Sequence, residues 1–429
     1  MKIYSINNMS QKKMNELFRR RAIDTEKIFE IVKPVVENVK RNGVQAALMY
    51  AKKFDNFEGE SILVTKKEID KAENFLDNSA KKAILTASKN IEKFHRRQIP
   101  NSYEIETMSG VKCSREFCAI ENVGLYVPGG TAVLPSTMLM LGIPARLAGC
   151  KRIAALSPTK KEINPAVLFA AKISGVNEFY KIGGAHGIAL MAYGDRSIKK
   201  VDKIFGPGNQ FVTSAKILAA IDPQGSAIDM PAGPSELLVI ADENANSSFV
   251  AADLLSQAEH GIDSQVILLT TSKKLAAEVQ SEIKSQTRYL TRGNFIKGAL
   301  DNSFILLVNS IEQAIEKSNC YAPEHLIMNV KRAEQYKKKI TNAGSVFFGN
   351  YSAESIGDYA SGTNHALPTY GYAKSFGGIS VESFMKTITF QKINRKGLEN
   401  IASTVIKMAT IENLDAHANA IKIRLENEY

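Results

Sequence analysis

From Val123 onward, short apolar runs alternate with stretches of helical composition, and Gly or Pro stands at the changeovers. The runs VGLYV, RIAAL, NEFYKI and VDKIF are separated by segments such as PAVLFAAKISG and FVTSAKILAAI. PGG at 128–130, SP at 157–158, GGA at 183–185 and GPGN at 206–209 mark the switches. The alternation resumes with ELLVIAD, FVAADLLSQAEHG, SQVILLTT, KKLAAEVQSEI, FILLV, SIEQAIEKSN, LIMNV and SVFFG. Strands alternating with helices join through right-handed crossovers into parallel sheets covered by helices. The pattern therefore predicts an α/β fold. Binding sites are expected at the carboxyl ends of its strands, where the Gly-rich segments fall.

The flanks read differently. Residues 1–23 form a polar, basic arm, and 24–97 carry apolar residues at three and four spacing, which predicts helices. After Ser380 the tail again reads as helical to the end. A chain of 429 residues is too long for one compact core, so two or three domains are expected. No repeat or low-complexity tract interrupts it.

The net charge of +11 raises the question of nucleic acid. The cations are scattered over amphipathic stretches, and only Arg19-Arg20-Arg21 and Lys337-Lys338-Lys339 form runs, without any nucleic-acid motif. They read as solvated surface, with no nucleic-acid partner. The apolar stretch from Ala132 to Gly149 is broken by Pro135, Pro144 and Arg146, which excludes a membrane span there. The first residues lack the apolar core of a secretory signal. Four cysteines make no disulfide framework, and Cys113 and Cys118 match no zinc-cysteine spacing. Reduced thiols point to a cytoplasmic location.

Five of the six histidines stand in segments crowded with Gly, Pro and acidic residues: GGAHG, LLSQAEHG, YAPEHL, GDYASGTNHALPT and ENLDAHANA. Histidine titrates near neutral pH and is the commonest metal-binding side chain, so this placement is a chemical signal. The sixth, His95 in IEKFHRRQ, reads as a surface residue.

Gln257 and His260 are three apart in a predicted helix from about Ser248, so both reach one point at its C-terminal end. Glu324 and His325 follow Pro323, which favours a first helical turn; a helix N-terminus disfavours the imidazolium while the adjacent carboxylate favours it. That balance would leave a general base near working pH. Asp358 and His365 lie in a stretch rich in Gly, Ser and Thr, expected to be a loop. Glu412 and His417 are five apart and share a face only if a helix starts between them, capped by Asn413 or Asp415. Gln257, His260, Asp358 and His417 form an oxygen-and-nitrogen set without thiolate, suited to a catalytic zinc, although Mn²⁺ or Co²⁺ would also fit. Neither GxGxxG nor GxxxxGK[ST] is present, and a lone GPG or GGA reads as a tight turn.

Several long motifs in fixed order are more specific than any of these patterns. They are GLYVPGG (124–130), KIFGPGNQFV (203–212), IDMPAGPSE (228–236), AADLLSQAEHG (251–261), YAPEHL (321–326), GDYASGTNHALPTYG (357–371) and the AHANA–R ending. In them the chain resembles the histidinol dehydrogenase family, zinc- and NAD-dependent enzymes of the last steps of histidine biosynthesis, from about residue 26 to 424.

The resemblance implies zinc on Gln257, His260, Asp358 and His417, the last from the other subunit of a domain-swapped homodimer. It implies Glu324 and His325 as the acid/base pair, Tyr126, His186 and Asn209 beside NAD, and Ser235, His365 and Glu412 on substrate, together with the metal ligands and His325. It further implies two incomplete Rossmann-like domains. One is discontinuous, 24–123 with 238–379, and carries the metal and acid/base residues. The other, 124–237, is inserted and binds NAD. Residues 1–23 are an arm and 380–429 a helical dimerisation segment. The implied reaction oxidises L-histidinol through the aldehyde to L-histidine, with zinc orienting substrate, His325 taking the hydroxyl proton and Glu324 activating water.

There are three departures from the family pattern. His186 replaces a Gln, Ala353 stands where Pro is usual, and FGGIS at 376–380 replaces FSGLS. His186 can still donate one hydrogen bond, so NAD binding should survive. A dehydrogenase of a related amino alcohol is the nearest rival reading. A zinc hydrolase is a second, weakened by the absence of HExxH. A basic nucleic-acid scaffold rests on charge alone and ranks last.

Overall fold

The computed structural model describes residues 1–20, 25–129, 133–231 and 233–427. Arg21 of the arginine run, the 23/24 boundary, Gly130 of the PGG turn, Ala132 and Ala232 of IDMPAGPSE lie outside the described residues.

The expected alternation is present as two parallel sheets. The first contains β4 (Asn122–Tyr126), β5 (Arg152–Leu156), β6 (Glu178–Tyr180), β7 (Lys203–Phe205) and β8 (Ala227–Ile228), in the order β6-β5-β4-β7-β8. The second contains β1 (Lys2–Ser5), β9 (Glu236–Ala241), β10 (Gln265–Thr270), β11 (Phe304–Leu307), β12 (His325–Asn329) and β13 (Ser345–Phe348), in the order β1-β11-β10-β9-β12-β13. Every pairing within both sheets is parallel.

Successive side chains of a strand point to opposite faces, and each sheet is covered on both. Leu237 and Val239 face the helices Ser247–Ala258, Lys273–Thr287 and Gly293–Asp301, while Leu238 and Ile240 face Ile311–Tyr321. In the first sheet Val123 and Leu125 face Pro135–Ala148 and Pro165–Ser174. The other side packs on Gly184–Tyr193, Gln210–Ile221 and the long helix Thr25–Phe54. Among the described residues no helix is long and apolar enough to cross a membrane.

Three placements differ from the sequence reading. The basic arm is not a loose appendage: β1 extends the second sheet beside β11, and Met14 of the helix Gln11–Leu17 is buried against it. The helices Thr25–Phe54 and Asn78–His95 pack on the 122–228 sheet and its helices rather than on the 236–348 sheet. Their apolar stripes carry Val32, Val36, Val39 and Ile91, which match that sheet's helices. The tail from Ser380 is not all helical. Its strand β14 (Met385–Ile393) pairs antiparallel with β3 (Val111–Ala119), which pairs in turn with β2 (Tyr103–Met108). Thr387, Ile388, Thr389 and Phe390 in β14 are β-branched or aromatic, and such residues fit a pleated ribbon. The helices Arg395–Ile411 and Asp415–Glu426 close the chain as an antiparallel pair.

Candidate active site

Glu324 and His325 lie where β12 begins, next to the start of β9 at Glu236, so the expected acid/base pair sits at the amino edge of the second sheet. Carboxyl ends were expected. The helix ends explain the difference. At the amino edge the chain arrives from helix C-termini, here Ser247–Ala258 before His260 and Ile311–Tyr321 before Glu324, whose negative dipole ends favour cations and imidazolium. His325 is accordingly a strand residue and not part of a helical first turn.

Glu324 is buried, and its Oε2 accepts the backbone N–H of Glu236 at 2.9 Å. The Gln257 amide nitrogen lies 3.3 Å from that same oxygen, 3.3 Å from the Glu236 carbonyl and 3.4 Å from His325 Nδ1. With its nitrogen turned to Glu324 and His325, Gln257 has its carbonyl oxygen available for a metal. The imidazole of His325 is ringed by carboxylates: Glu324 at 3.7 Å and Glu354 at 3.6 Å from Nδ1, and Asp358 at 3.6 Å from Nε2.

These charges set the protonation states. Burial pushes the Glu324 carboxyl up to about 8, although the neighbouring His325 pulls the other way. Burial acts to lower His325, but Glu354, Glu324 and Asp358 together outweigh it and raise the imidazole to about 10. Glu354 lies well above the usual carboxylate range because it is buried. Burial also acts to raise Asp358, yet its contact with His325 holds it below the ordinary value. Burial lowers His365, which also feels the Asp358 charge.

Asp358 is not in a loop. It belongs to the short helix Glu354–Tyr359, which presents Glu354 and Asp358 four residues apart on one face. The tightest group of metal-capable atoms among the described residues is His325, Glu354 and Asp358, all within 4.8 Å, and it shares only Asp358 with the expected ligand set. The donors fit a cation: both Glu354 oxygens and His365 Nε2 are sealed from solvent without a hydrogen-bond partner. Ser235 lies just before β9, where its carbonyl accepts from Gln265 N.

Glu412 and His417 stand apart from this centre. Both are exposed, Glu412 at the end of Arg395–Ile411 and His417 in Asp415–Glu426. A helix does start between them, but neither Asn413 nor Asp415 caps it; the preceding residue is Leu414 and no side chain bonds there. His260 is likewise exposed in the single chain.

The residues expected beside NAD lie at the carboxyl edge of the first sheet. Tyr126 ends β4, and Asn209 follows β7 as the cap of Gln210–Ile221, its side chain accepting from Phe211 N and Val212 N. β4 and β7 are neighbours at the point where the strand order reverses, the usual cleft for a dinucleotide. Gly206 has φ +119°, and a Cβ there would meet the Tyr126 carbonyl oxygen at 2.2 Å, so the GPGN turn requires glycine. His186 differs from expectation. It is 1% exposed, its Nε2 contacts Asp55 at 3.1 Å, and its ring lies beside the stacked rings of Tyr50 and Phe54. It therefore presents no open donor to the cleft.

Sequence reasoning missed Glu354, Glu236, Asp55 and the buried ion pair Lys216–Asp229. That pair holds the GPGN turn through Gly206 O at 2.9 Å from Lys216 and Gly206 N at 2.7 Å from Asp229. A signal existed for two of them: Glu354 and Asp358 share helical spacing in ESIGD, and Glu236 opens the otherwise apolar run ELLVIA.

The histidinol dehydrogenase family model matches residues 18–425. The chain is 50% identical to histidinol dehydrogenase of Bacteroides fragilis over 428 residues, 99% of each chain. It is 48% identical to that of Campylobacter jejuni over 428 residues, all of both chains. It is 47% identical to the chloroplastic histidinol dehydrogenase of Arabidopsis thaliana, covering 100% of this chain and 92% of the relative. The crystal structure of histidinol dehydrogenase from Elizabethkingia anophelis superposes with a TM-score of 0.94 at 49% identity, over 99% of this chain and 98% of that one.

Proposed function

The chain belongs to the histidinol dehydrogenase family, and from that premise we propose that it oxidises L-histidinol through the aldehyde to L-histidine with two NAD⁺. The observation that carries the residue roles is the buried pair Glu324–His325, whose Glu324 carboxylate accepts from the Glu236 N–H and the Gln257 amide.

Two carboxylates and the Glu236 carbonyl crowd His325 Nδ1. A neutral imidazole therefore carries its proton there and presents Nε2 as the base that takes the substrate hydroxyl proton. Glu324, raised to about 8, exchanges protons near neutrality and is the group that activates water for hydration of the aldehyde. Tyr126 and Asn209 would border the cofactor, and the N-termini of Gly184–Tyr193 and Gln210–Ile221 suit its phosphates. Zinc on Gln257, His260, Asp358 and the His417 of a second copy would orient substrate and offset the Asp358 charge, which with Glu354 and Glu324 raises His325. Ser235, His365 and Glu412 would bind substrate.

A homodimer with shared sites is part of the proposal. His417 is exposed on a unit whose ribbon also exposes apolar side chains, Tyr103, Ile105 and Ile393 on one face and Ile388 and Phe390 on the other, surface suited to a second copy.

The test is NADH formed per L-histidinol consumed, before and after chelation and zinc add-back. Two NADH per substrate, lost with the metal and restored by zinc, is the expected result. One per substrate would remove Glu324 from its role. None from zinc-replete protein would overturn the function.

A further inference from the structure

Arg20 belongs to a run of three arginines whose sequence context reads as solvated surface, yet its side chain is only 17% exposed. It forms a forked ion pair with the buried Glu236, Nε to Oε1 and Nη2 to Oε2, the latter at 2.8 Å. The same Nη2 donates to the carbonyl of Tyr321 at 2.8 Å and reaches that of Ala322 at 3.3 Å. The guanidinium lies over the Tyr321 ring, 3.8 Å from its centroid.

Both partners lead to Glu324. Tyr321 and Ala322 are the residues just before Pro323 and Glu324, and Ala322 has φ +55°, a left-handed conformation unfavourable for alanine. Donors on the adjoining carbonyls help to hold that turn. From the other side, the Glu236 backbone N–H donates to the Glu324 carboxylate at 2.9 Å. The Glu236 carboxylate is fixed by Arg20 and by the Tyr370 N–H at 3.0 Å.

We propose that Arg20 is a positioning residue for the acid/base pair, gripping the turn that carries Glu324 and the residue whose N–H orients the Glu324 carboxylate. Arg20 touches no reacting atom. It acts by setting where Glu324 stands for aldehyde hydration, so this inference rests on the function proposed above. A fork is required, because one planar group must meet a carboxylate and two carbonyls together; a lysine is a point donor.

The experiment compares Arg20→Ala, Arg20→Lys and the exposed neighbour control Arg19→Ala in full-length, zinc-loaded protein. It measures kcat, KM for L-histidinol, NADH per L-histidinol, zinc content and Tm. Arg20→Ala is expected to lower kcat ~10-fold or more. KM should stay within ~3-fold. NADH per substrate falls below the wild-type yield, because the aldehyde leaves before it is hydrated. Arg20→Lys recovers Tm and zinc content but only part of kcat, and Arg19→Ala matches wild type. Should Arg20→Ala fail to fold, the Arg20→Lys stoichiometry decides. If wild type gives two NADH and the Arg20 variants do too at unchanged kcat, the inference fails. It fails equally if their losses only track folded fraction or zinc. A wild type that forms no NADH would instead overturn the proposed function.

Discussion

Asn364 donates its side-chain amide to Nε2 of His95 at 3.2 Å, while the Ile91 carbonyl lies 2.9 Å from the opposite ring nitrogen. A carbonyl only accepts, so Nδ1 carries the proton and the ring is neutral. His95 was expected on the surface; it is fully buried, and burial holds its pKa below the ordinary value. Asn364 also bonds Met140 O at 2.7 Å and Ala366 N at 2.9 Å, so this histidine anchors the residue next to His365.

That arrangement predicts acid sensitivity. Unfolded histidine binds a proton near pH ~6.5, whereas native His95 resists it. The unfolded state therefore holds more protons in this window, and stability rises with pH through it. The contribution is complete above the unfolded pKa and is lost as pH falls towards the native one. Thermal unfolding should show a drop in Tm between pH 7 and 5 that is shallower in His95→Gln than in wild type, by the same linkage. An equally steep drop in the variant would contradict the assignment.

Glu354 is the first of the charges that raise His325. Glu354→Gln removes the carboxyl that pairs with the imidazolium, with little change of shape, so the imidazole loses protons more readily. The acid limb of kcat/KM against pH should then move to lower pH, since the base is free at lower pH. His325→Ala should lower turnover ~100-fold or more, the scale of a lost general base. An unmoved limb in the first variant, or near-normal turnover in the second, would remove those residues from the site.

The sheets were legible because both parallel sheets are buried on two faces, which leaves continuous apolar runs such as ELLVIA and QVILLT. The ribbon of β2, β3 and β14 was harder to read. Its nine-residue strand β14 has only its first residue partly buried, so no polar face contrasts with a core face in one chain. Glu324, His325 and Asp358 were legible as chemistry but not as geometry. Pro323 suggested a helical turn, whereas the pairing of His325 with Leu237 and Ser345 makes a strand. Arg20 was illegible for a related reason: a basic run looks solvated until Glu236, 216 residues away, is known to lie against it.

His186→Gln tests whether the departure from the family pattern matters. Gln can keep one hydrogen bond to Asp55, and the imidazole lies buried beside the stacked rings of Tyr50 and Phe54. KM for NAD⁺ should stay within ~3-fold. A larger change would mean that the imidazole itself reaches the cofactor.

The position of His417 gives the sharpest test of a shared site. In its own chain it is exposed on Asp415–Glu426, on the unit with the β14 ribbon, whereas Gln257 and Asp358 lie beside His325. His417→Ala should therefore lose zinc although it leaves the local cluster intact. His260→Ala should be inactive for the opposite reason. Unfolded and refolded together in equal amounts, the two variants form mixed dimers in which one of the two sites combines an intact cluster with an intact His417. Random pairing makes half of the dimers mixed, so recovered activity should approach ~25% of wild type under two-fold symmetry. Zinc content should rise in parallel. Recovery of nothing, with mixed dimers demonstrated by mass, would place the fourth ligand within the chain and end the shared-site model.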